Sequence, residues 1–435
     1  MISESETTHR LRAEFSLYCY PWDVLDAGPA AFAELAQSCG LTNISLAASY
    51  HGGKALLPHN SRAHVYFIED GVVYFRPQRR LFAATKIKPF VSRLCGRSDV
   101  FRDIAQACAA KGVATTAWVV ALHNTRLATG YPMYSTQNAF GDRYLHTLCP
   151  CQPQVIAYLC ALVDNLARYP IDAVVLEAFD FGSFRHYAFL EKEGIAVTPL
   201  VNLLLSLCFC SACSMAAKGV HIQLPELATT VQRWLTAYFE GEHRSVEPFE
   251  AAVSSIPGLT EYLEARFGIL GMAFQRIAEV LHAHDKRLIP IPDQDKQRDY
   301  LTGVDLRLLT GADAIEVMFY NRRTEEAAQV VGTIKSSSEN PNVRVIIRPG
   351  YPDARSAEEL LHTTESIIRG GARGVSFYNF GLIEKSHIDW VRNAIAGVTS
   401  AGGAPSAGRV TALDKPNVGA DAIETIDPNV FRNAT

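Results

Sequence analysis

The sequence has no run of the roughly 18 apolar residues that a membrane-spanning helix needs. Its richest candidate, "VTPLVNLLLSLCFC", is too short and reads as a buried helix. The first residues, "MISESETTHRLRAEF", contain no apolar stretch of the secretory type. Excess positive charge is absent too: 41 Lys and Arg stand against 45 Asp and Glu, a formal net charge of −4. That leaves no electrostatic footprint for nucleic acid or an anionic membrane surface, so neither is expected as a partner. With no export signal the expectation is a cytoplasmic protein, where the 10 cysteines would rarely form structural disulfides.

What is present is ordinary globular material, 48% hydrophobic and 20% charged over 435 residues. Apolar runs of strand length alternate with amphipathic helical stretches. The runs are "FSLYCY" from Phe15, "NISLAAS" from Asn43, "VATTAWVVAL" from Val113 and "DAVVLEAF" from Asp172. "RLIPIP" from Arg287, "DAIEVMF" from Asp313, "VRVIIRP" from Val343 and "GVSFYNF" from Gly374 complete eight. Continuous apolar strands separated by helices indicate a parallel sheet buried on both faces, and eight close most naturally into a (β/α)8 barrel. The rival, an open doubly wound sheet, usually carries a glycine-rich phosphate turn after its first strand. "YCYPWDVLDAGP" has none, which favours the barrel; no organic cofactor is expected.

The expected domain is a single barrel over 1–396 with two insertions. "HVYFIEDGVVYFRP" alternates on both sides of an Asp-Gly pair, which predicts a hairpin at 64–77 in the loop after strand two. A long helical insertion over 180–286 follows strand four. The segment 397–435 is small, polar and glycine-rich, and is expected to have no fixed structure.

In such barrels the chemistry sits at the C-terminal ends of the strands. Those ends supply Tyr20, Trp22 and Asp23, then Tyr50 and His51, then His123 and Asn124. They continue with Glu177 and Asp180, Asp293 and Asp295, Glu316 and Tyr320, Arg348, and finally Tyr378 and Asn379. Glu177 and Glu316 each interrupt an apolar strand, where a carboxylate is costly to desolvate unless something answers it. One reading pairs them as general acid and base, with Asp293 as the other choice for second carboxylate. The blander one is a structural glutamate paired with an arginine such as Arg348. Tyr20, Trp22, Tyr50, Tyr320 and Tyr378 would offer aromatic faces to a sugar, although aromatics there also serve simply as packing. His123 and Asn124 could bond a substrate hydroxyl, or be satisfied locally. His51 and Arg348 complete the substrate-binding candidates.

"LCFCSACS" from Leu207 places Cys208, Cys210 and Cys213 within six residues. Structural zinc takes four soft ligands in a closed tetrahedron, and a fourth is on offer at Cys149 or Cys151 in "TLCPCQP". Unliganded buried cysteines and a redox pair are the alternatives, the latter without a thioredoxin-like context.

"RYLHTLCPCQP", a strand ending in glutamate, and then "LCFCSACS" together resemble the β-galactosidases of glycoside hydrolase family 42. The resemblance covers about 70 residues and the barrel class. It implies a structural zinc on Cys149, Cys208, Cys210 and Cys213, and Glu177 as acid/base. Two departures set this chain outside that family. Leu176 stands where the family has asparagine, and strand seven, which carries the family's nucleophilic glutamate, ends in Arg348. The nearest carboxylates to that position are Glu316 and Asp353. The resulting expectation is a glycoside-hydrolase-like barrel acting on a small carbohydrate or glycoside, with a homo-oligomer compatible. A metal-dependent sugar isomerase, epimerase or lyase and a non-catalytic ligand-binding barrel are the alternatives.

Overall fold

The computed structural model describes residues 13–185, 192–242, 248–292 and 297–401, and every structural statement below concerns those residues. Asp293, Asp295 and the segment 402–435 lie outside them. Eight parallel strands form the central sheet: β1 (Glu14–Cys19), β2 (Asn43–Tyr50), β3 (Ala114–Val120) and β4 (Ala173–Glu177). They are followed by β5 (Arg287–Ile291), β6 (Ile315–Met318), β7 (Val343–Ile347) and β8 (Gly374–Phe377). Hydrogen bonding runs in the order β5-β4-β3-β2-β1-β8-β7-β6. The remaining seam, between β5 and β6, is bridged where Asp313 N donates to Leu288 O at 2.9 Å. This is a nearly closed (β/α)8 barrel, as the eight apolar runs predict.

Alternation along each strand sets which side chains reach the lumen. In β4, Val174 and Leu176 join the shell packed against the helices, while Ala173 and Val175 join the cluster inside the barrel. The same period turns Glu177 inward at the strand's C-terminal end. In β3 it turns Trp118 inward, against Val175 in the β3–β4 register.

A hairpin does follow β2, but its pairing differs from the one the alternation suggested. Gly53–Leu56 pairs antiparallel with Val65–Ile68. Beyond it Gly71, at φ 60°, turns the chain away, and Val72–Val73 pairs with Ser49 and Tyr50 at the end of β2. Val72 and Val73 are buried there, which the solvent side of a free hairpin would not provide. A second hairpin, Ser135–Gln137 with Arg143–Leu148, follows β3 and delivers the chain to Cys149.

The insertion between β4 and β5 carries the helices Pro199–Ser206, Ser211–Lys218, Leu224–Phe239, Phe249–Ser254 and Leu259–His282. No single helix is long and apolar enough to cross a membrane. The apolar "PLVNLLLS" helix instead buries Leu200, Val201, Leu203, Leu204 and Leu205. The last helix, His387–Ala401, continues through residue 396, where the sequence suggested the barrel ends.

Candidate functional site

Glu177 is the last residue of β4 and is partly exposed at the barrel mouth. Trp118 Nε1 donates to its Oε2 at 2.5 Å. Around this pair stand the aromatic strand ends. Tyr20 Oη lies 3.1 Å from Tyr50 Oη and 3.0 Å from Tyr378 Oη, a triangle of hydroxyls contributed by β1, β2 and the end of β8. Tyr320, beyond β6, packs near Tyr378 with ring centroids 6.1 Å apart. Burial raises the pKa of Tyr20, Tyr50 and Tyr320 well above the usual phenol value, so these hydroxyls remain protonated donors and acceptors. Trp22 stacks between Tyr20, at 4.4 Å, and Tyr66 of the hairpin, at 4.7 Å, and is itself buried. It therefore forms part of the wall that the insertion after β2 packs against.

Glu316 sits elsewhere. Fully buried inside the barrel, it accepts from Tyr18 Oη at 2.8 Å and from Ser376 Oγ, and it lies 3.4 Å from Arg344 Nη2. Glu316 and Arg344 are directly paired in the β6–β7 register, and Arg344 Nη1 is 3.7 Å from Glu14. Arg348 was the arginine suggested as a glutamate partner. It instead makes a bidentate pair with Asp353, Nε to Oδ2 at 2.6 Å and Nη2 to Oδ1 at 3.0 Å, with its guanidinium 4.4 Å over the Tyr320 ring. Glu316's arginine is Arg344, four residues earlier. Four residues along a strand separate two inward-facing layers, so the two arginines serve different levels of the lumen.

The remaining candidates divide. His51 stacks on Tyr50 at 4.3 Å and on His123 at 4.6 Å, which brings both histidines to one wall of the mouth. Burial lowers the His51 pKa, favouring the neutral ring whose Nδ1 meets Gly52 O at 2.7 Å. Asn124 is committed locally. Its Oδ1 accepts from Leu127 N at 2.9 Å and caps the helix Thr125–Gly130. Asp180 accepts from Gly182 N at 2.6 Å in the loop after β4. Asp23 is buried beside Asn60, whose Nδ2 donates to it at 3.1 Å, and burial pushes its carboxyl up to about 7. Asn379 is fully buried, and its Oδ1 accepts from Gly381 N at 3.1 Å.

In the loops after β3 and β4, Cys149, Cys208, Cys210 and Cys213 are buried with all four sulfurs within 4.8 Å of one another. Cys149 Sγ lies 3.5 Å from Cys213 Sγ and 3.7 Å from both Cys208 and Cys210. Two N–H groups point at the cluster, Gln137 N to Cys208 Sγ at 3.3 Å and Gln152 Nε2 to Cys210 Sγ at 3.5 Å. Such donors favour sulfur carrying negative charge. The cluster has the ligand type, number and burial to hold a metal ion. Among the described residues it is the one group of His, Cys, Asp and Glu side chains that converges in this way.

Sequence reasoning missed Trp118, Arg344 and Ser376. Trp118 hides in an apolar run where an indole is indistinguishable from packing. Arg344 carried a readable signal: it interrupts "VRVII" just as Glu316 interrupts "AIEVMF", and opposite charges inside two adjacent apolar strands call for each other.

No protein-family model and no curated protein sequence matches this chain. Among solved structures, α-L-fucosidase isoenzyme 2 from Paenibacillus thiaminolyticus aligns over 90% of this chain with a TM-score of 0.53 and 12% identity. A β-galactosidase from the psychrophilic Marinomonas ef1 aligns over 89% with a TM-score of 0.52 and 10% identity. The chain spans 50% and 59% of the lengths of those two proteins. At such identities the likeness establishes a shared architecture alone, the (β/α)8 barrel.

Proposed function

We propose that the protein is a glycoside-hydrolase-like enzyme acting on a small carbohydrate or glycoside, with Glu177 as its general acid/base. The observation that carries this is the setting of Glu177. It is partly exposed at the end of β4, its carboxylate held by an indole N–H and bordered by tyrosines. In that role it would protonate the oxygen of the departing group as the glycosidic bond breaks. Tyr20, Tyr50 and Tyr378 would border the sugar, with Tyr320 and Arg348 continuing that wall beside Tyr378. The names of the two barrels compared above, a fucosidase and a galactosidase, agree with a sugar ligand at the level of fold.

Glu316 belongs in this reading to the barrel's interior rather than to the reaction, because Arg344, Ser376 and Tyr18 already engage its carboxylate away from solvent. The second carboxylate then falls to Asp293. Glu177 pairs with Ile291 in the β4–β5 register, and Asp293 follows two residues on, outside the described residues. A metal-dependent isomerase, epimerase or lyase is less well supported, since Glu177, Glu316, His51 and His123 form no converging donor set. A non-catalytic sugar-binding barrel keeps one observation in its favour. Asp353 is taken by Arg348, Asp23 is buried beside Asn60 and Glu316 is taken by Arg344.

The cysteine cluster suits a structural zinc. A tetrahedron with Zn–S bonds of about 2.3 Å has sulfurs about 3.8 Å apart, close to the Cys149–Cys213 and Cys149–Cys208 spacings of 3.5 and 3.7 Å. The ion would tie the hairpin after β3 to the helical insertion after β4. All 10 cysteines are free of disulfides, which suits a reducing compartment such as the cytoplasm.

The decisive experiment compares Glu177→Gln with wild type on an aryl glycoside bearing a good leaving group and on an unactivated glycoside. The expected loss is roughly 10²–10⁴-fold on the unactivated substrate, with partial recovery on the activated one. Equal rates for both proteins on both substrates would remove Glu177 from the mechanism. Ligand binding without turnover in wild type would favour the binding barrel.

A further inference from the structure

We propose that Trp118 is a positioning residue for Glu177, deciding which carboxylate oxygen exchanges the proton; this rests on the reading of Glu177 as acid/base. The indole N–H is a donor with no acceptor capacity. It meets Oε2 at 2.5 Å, so Oε2 cannot carry a proton toward Trp118 without displacing that N–H. The bond stabilises negative charge on Oε2 and takes one of its two lone pairs, which favours Oε1 as the oxygen that gives and takes the proton. When the glycosidic bond breaks, that proton passes from Oε1 to the leaving oxygen, which keeps the bond's electron pair, and Oε2 stays on the indole throughout.

The indole has little freedom to do otherwise. It is 1% exposed, and its ring is boxed on several sides. Tyr18 meets it edge-on at 5.0 Å and Tyr50 at 4.8 Å, with Tyr20 at 5.4 Å and Tyr378 at 5.9 Å. These aromatics come from β1, β2 and the end of β8, so the barrel itself sets the direction of the N–H. Preorganised donors of this kind cost no reorganisation during the reaction. The phenols of Tyr18, Tyr50, Tyr320 and Tyr378 face the Glu177 charge as well. Burial keeps all four phenols protonated, so none competes with Glu177 for protons near neutrality. Arg348, the nearby cation, is already bidentate with Asp353.

Two measurements test the proposal, one of them independent of turnover. The chain has 4 tryptophans, so selectively labelled protein gives a short list of indole N–H resonances in NMR. One of them should sit downfield, shift with pH, and lose that titration in Glu177→Gln. Trp118→Phe should lower kcat about 10- to 100-fold, the usual worth of a hydrogen bond to a charged group, with KM within about 2-fold. A lost donor no longer favours the ionised carboxylate, so the alkaline limb of its kcat/KM profile should move to higher pH. A purely packing role for Trp118 would leave that limb in place. If no indole resonance responds to Glu177→Gln, or if Trp118→Phe leaves kcat and the pH profile unchanged while Glu177→Gln is slow, the positioning role is overturned and the acid/base assignment survives. If the resonance titrates with Glu177 but Glu177→Gln turns over like wild type, the acid/base reading itself falls, and the catalytic role of Trp118 with it. The resonance needs only wild type and Glu177→Gln, so it decides the pairing even if Trp118→Phe fails to fold.

Discussion

Replacing Glu316 by glutamine separates a structural carboxylate from a catalytic one. Arg344 is 1% exposed and Glu316 is 0% exposed, so neither charge has water to fall back on. Glutamine preserves the volume and an acceptor for Tyr18, but it leaves the guanidinium facing a neutral amide. Breaking one side of a buried pair typically costs about 3–5 kcal/mol. Glu14, 3.7 Å from the other amino nitrogen of Arg344, retains some compensation, which places the expected loss toward the lower end of that range. An unfolding entropy of about 2.1 cal/mol/K per residue makes 1 kcal/mol worth only about 1.2 °C in a domain of roughly 390 residues. A drop in Tm of about 4–5 °C is therefore expected by calorimetry, with kcat/KM per folded molecule little changed. The double variant Glu316→Leu with Arg344→Met removes both charges and should recover most of the loss, since apolar replacements of buried pairs are often neutral or better. A Glu316→Gln protein with unchanged Tm and abolished turnover would refute this reasoning and return Glu316 to the active site.

Further outcomes follow from other groups. Asp23 is held at about 7 by burial, against about 3.9 in an unfolded chain. Its folded pKa is raised, so the associated stability is full below pH 4 and is lost as pH rises toward 7, up to about 4 kcal/mol. Asp23→Asn should flatten that dependence, and urea titrations at pH 5 and pH 8 would show it; identical pH dependence in both proteins would contradict the buried, protonated carboxyl. Purified protein should contain close to one zinc per chain by elemental analysis, and Cys210→Ser should lose it together with stability. Metal-free protein whose four clustered cysteines alkylate freely in the native state would end the zinc proposal.

Strand identity was legible because β-branched and apolar runs of six to ten residues recur between helical periods, and all eight strands appear where those runs fall. The hairpin after β2 was legible as alternation but not as pairing. The partner of Val65–Ile68 is Gly53–Leu56, a short, glycine-started segment with little strand character of its own. Three members of the cysteine cluster were legible from spacing, while the choice of Cys149 over Cys151 came from the resemblance. Strand position placed Glu177 and Glu316 in one list, yet the register separates them. Glu177 ends its strand at the mouth, and Glu316 is the second residue of β6, opposite Arg344. A position list cannot see depth along the barrel axis, and depth decides whether a carboxylate meets substrate or an arginine. Asn124 illustrates the same limit, since its amide is used to start a helix.

The cysteine cluster also has a place in time. Its four thiols are complete once Cys213 has been synthesised, while β5 ends at Ile291, roughly 80 residues later. At about 5–20 residues per second that is an interval of about 4–16 s. Throughout it β4 is an edge strand with unpaired N–H and C=O groups, the kind of template on which chains mispair. An ion bound on emergence would gather the loops before and after β4 around that edge until β5 arrives. The cluster's consequence is then most visible in the nascent chain, as protection of a half-made barrel, and least visible once the barrel is complete.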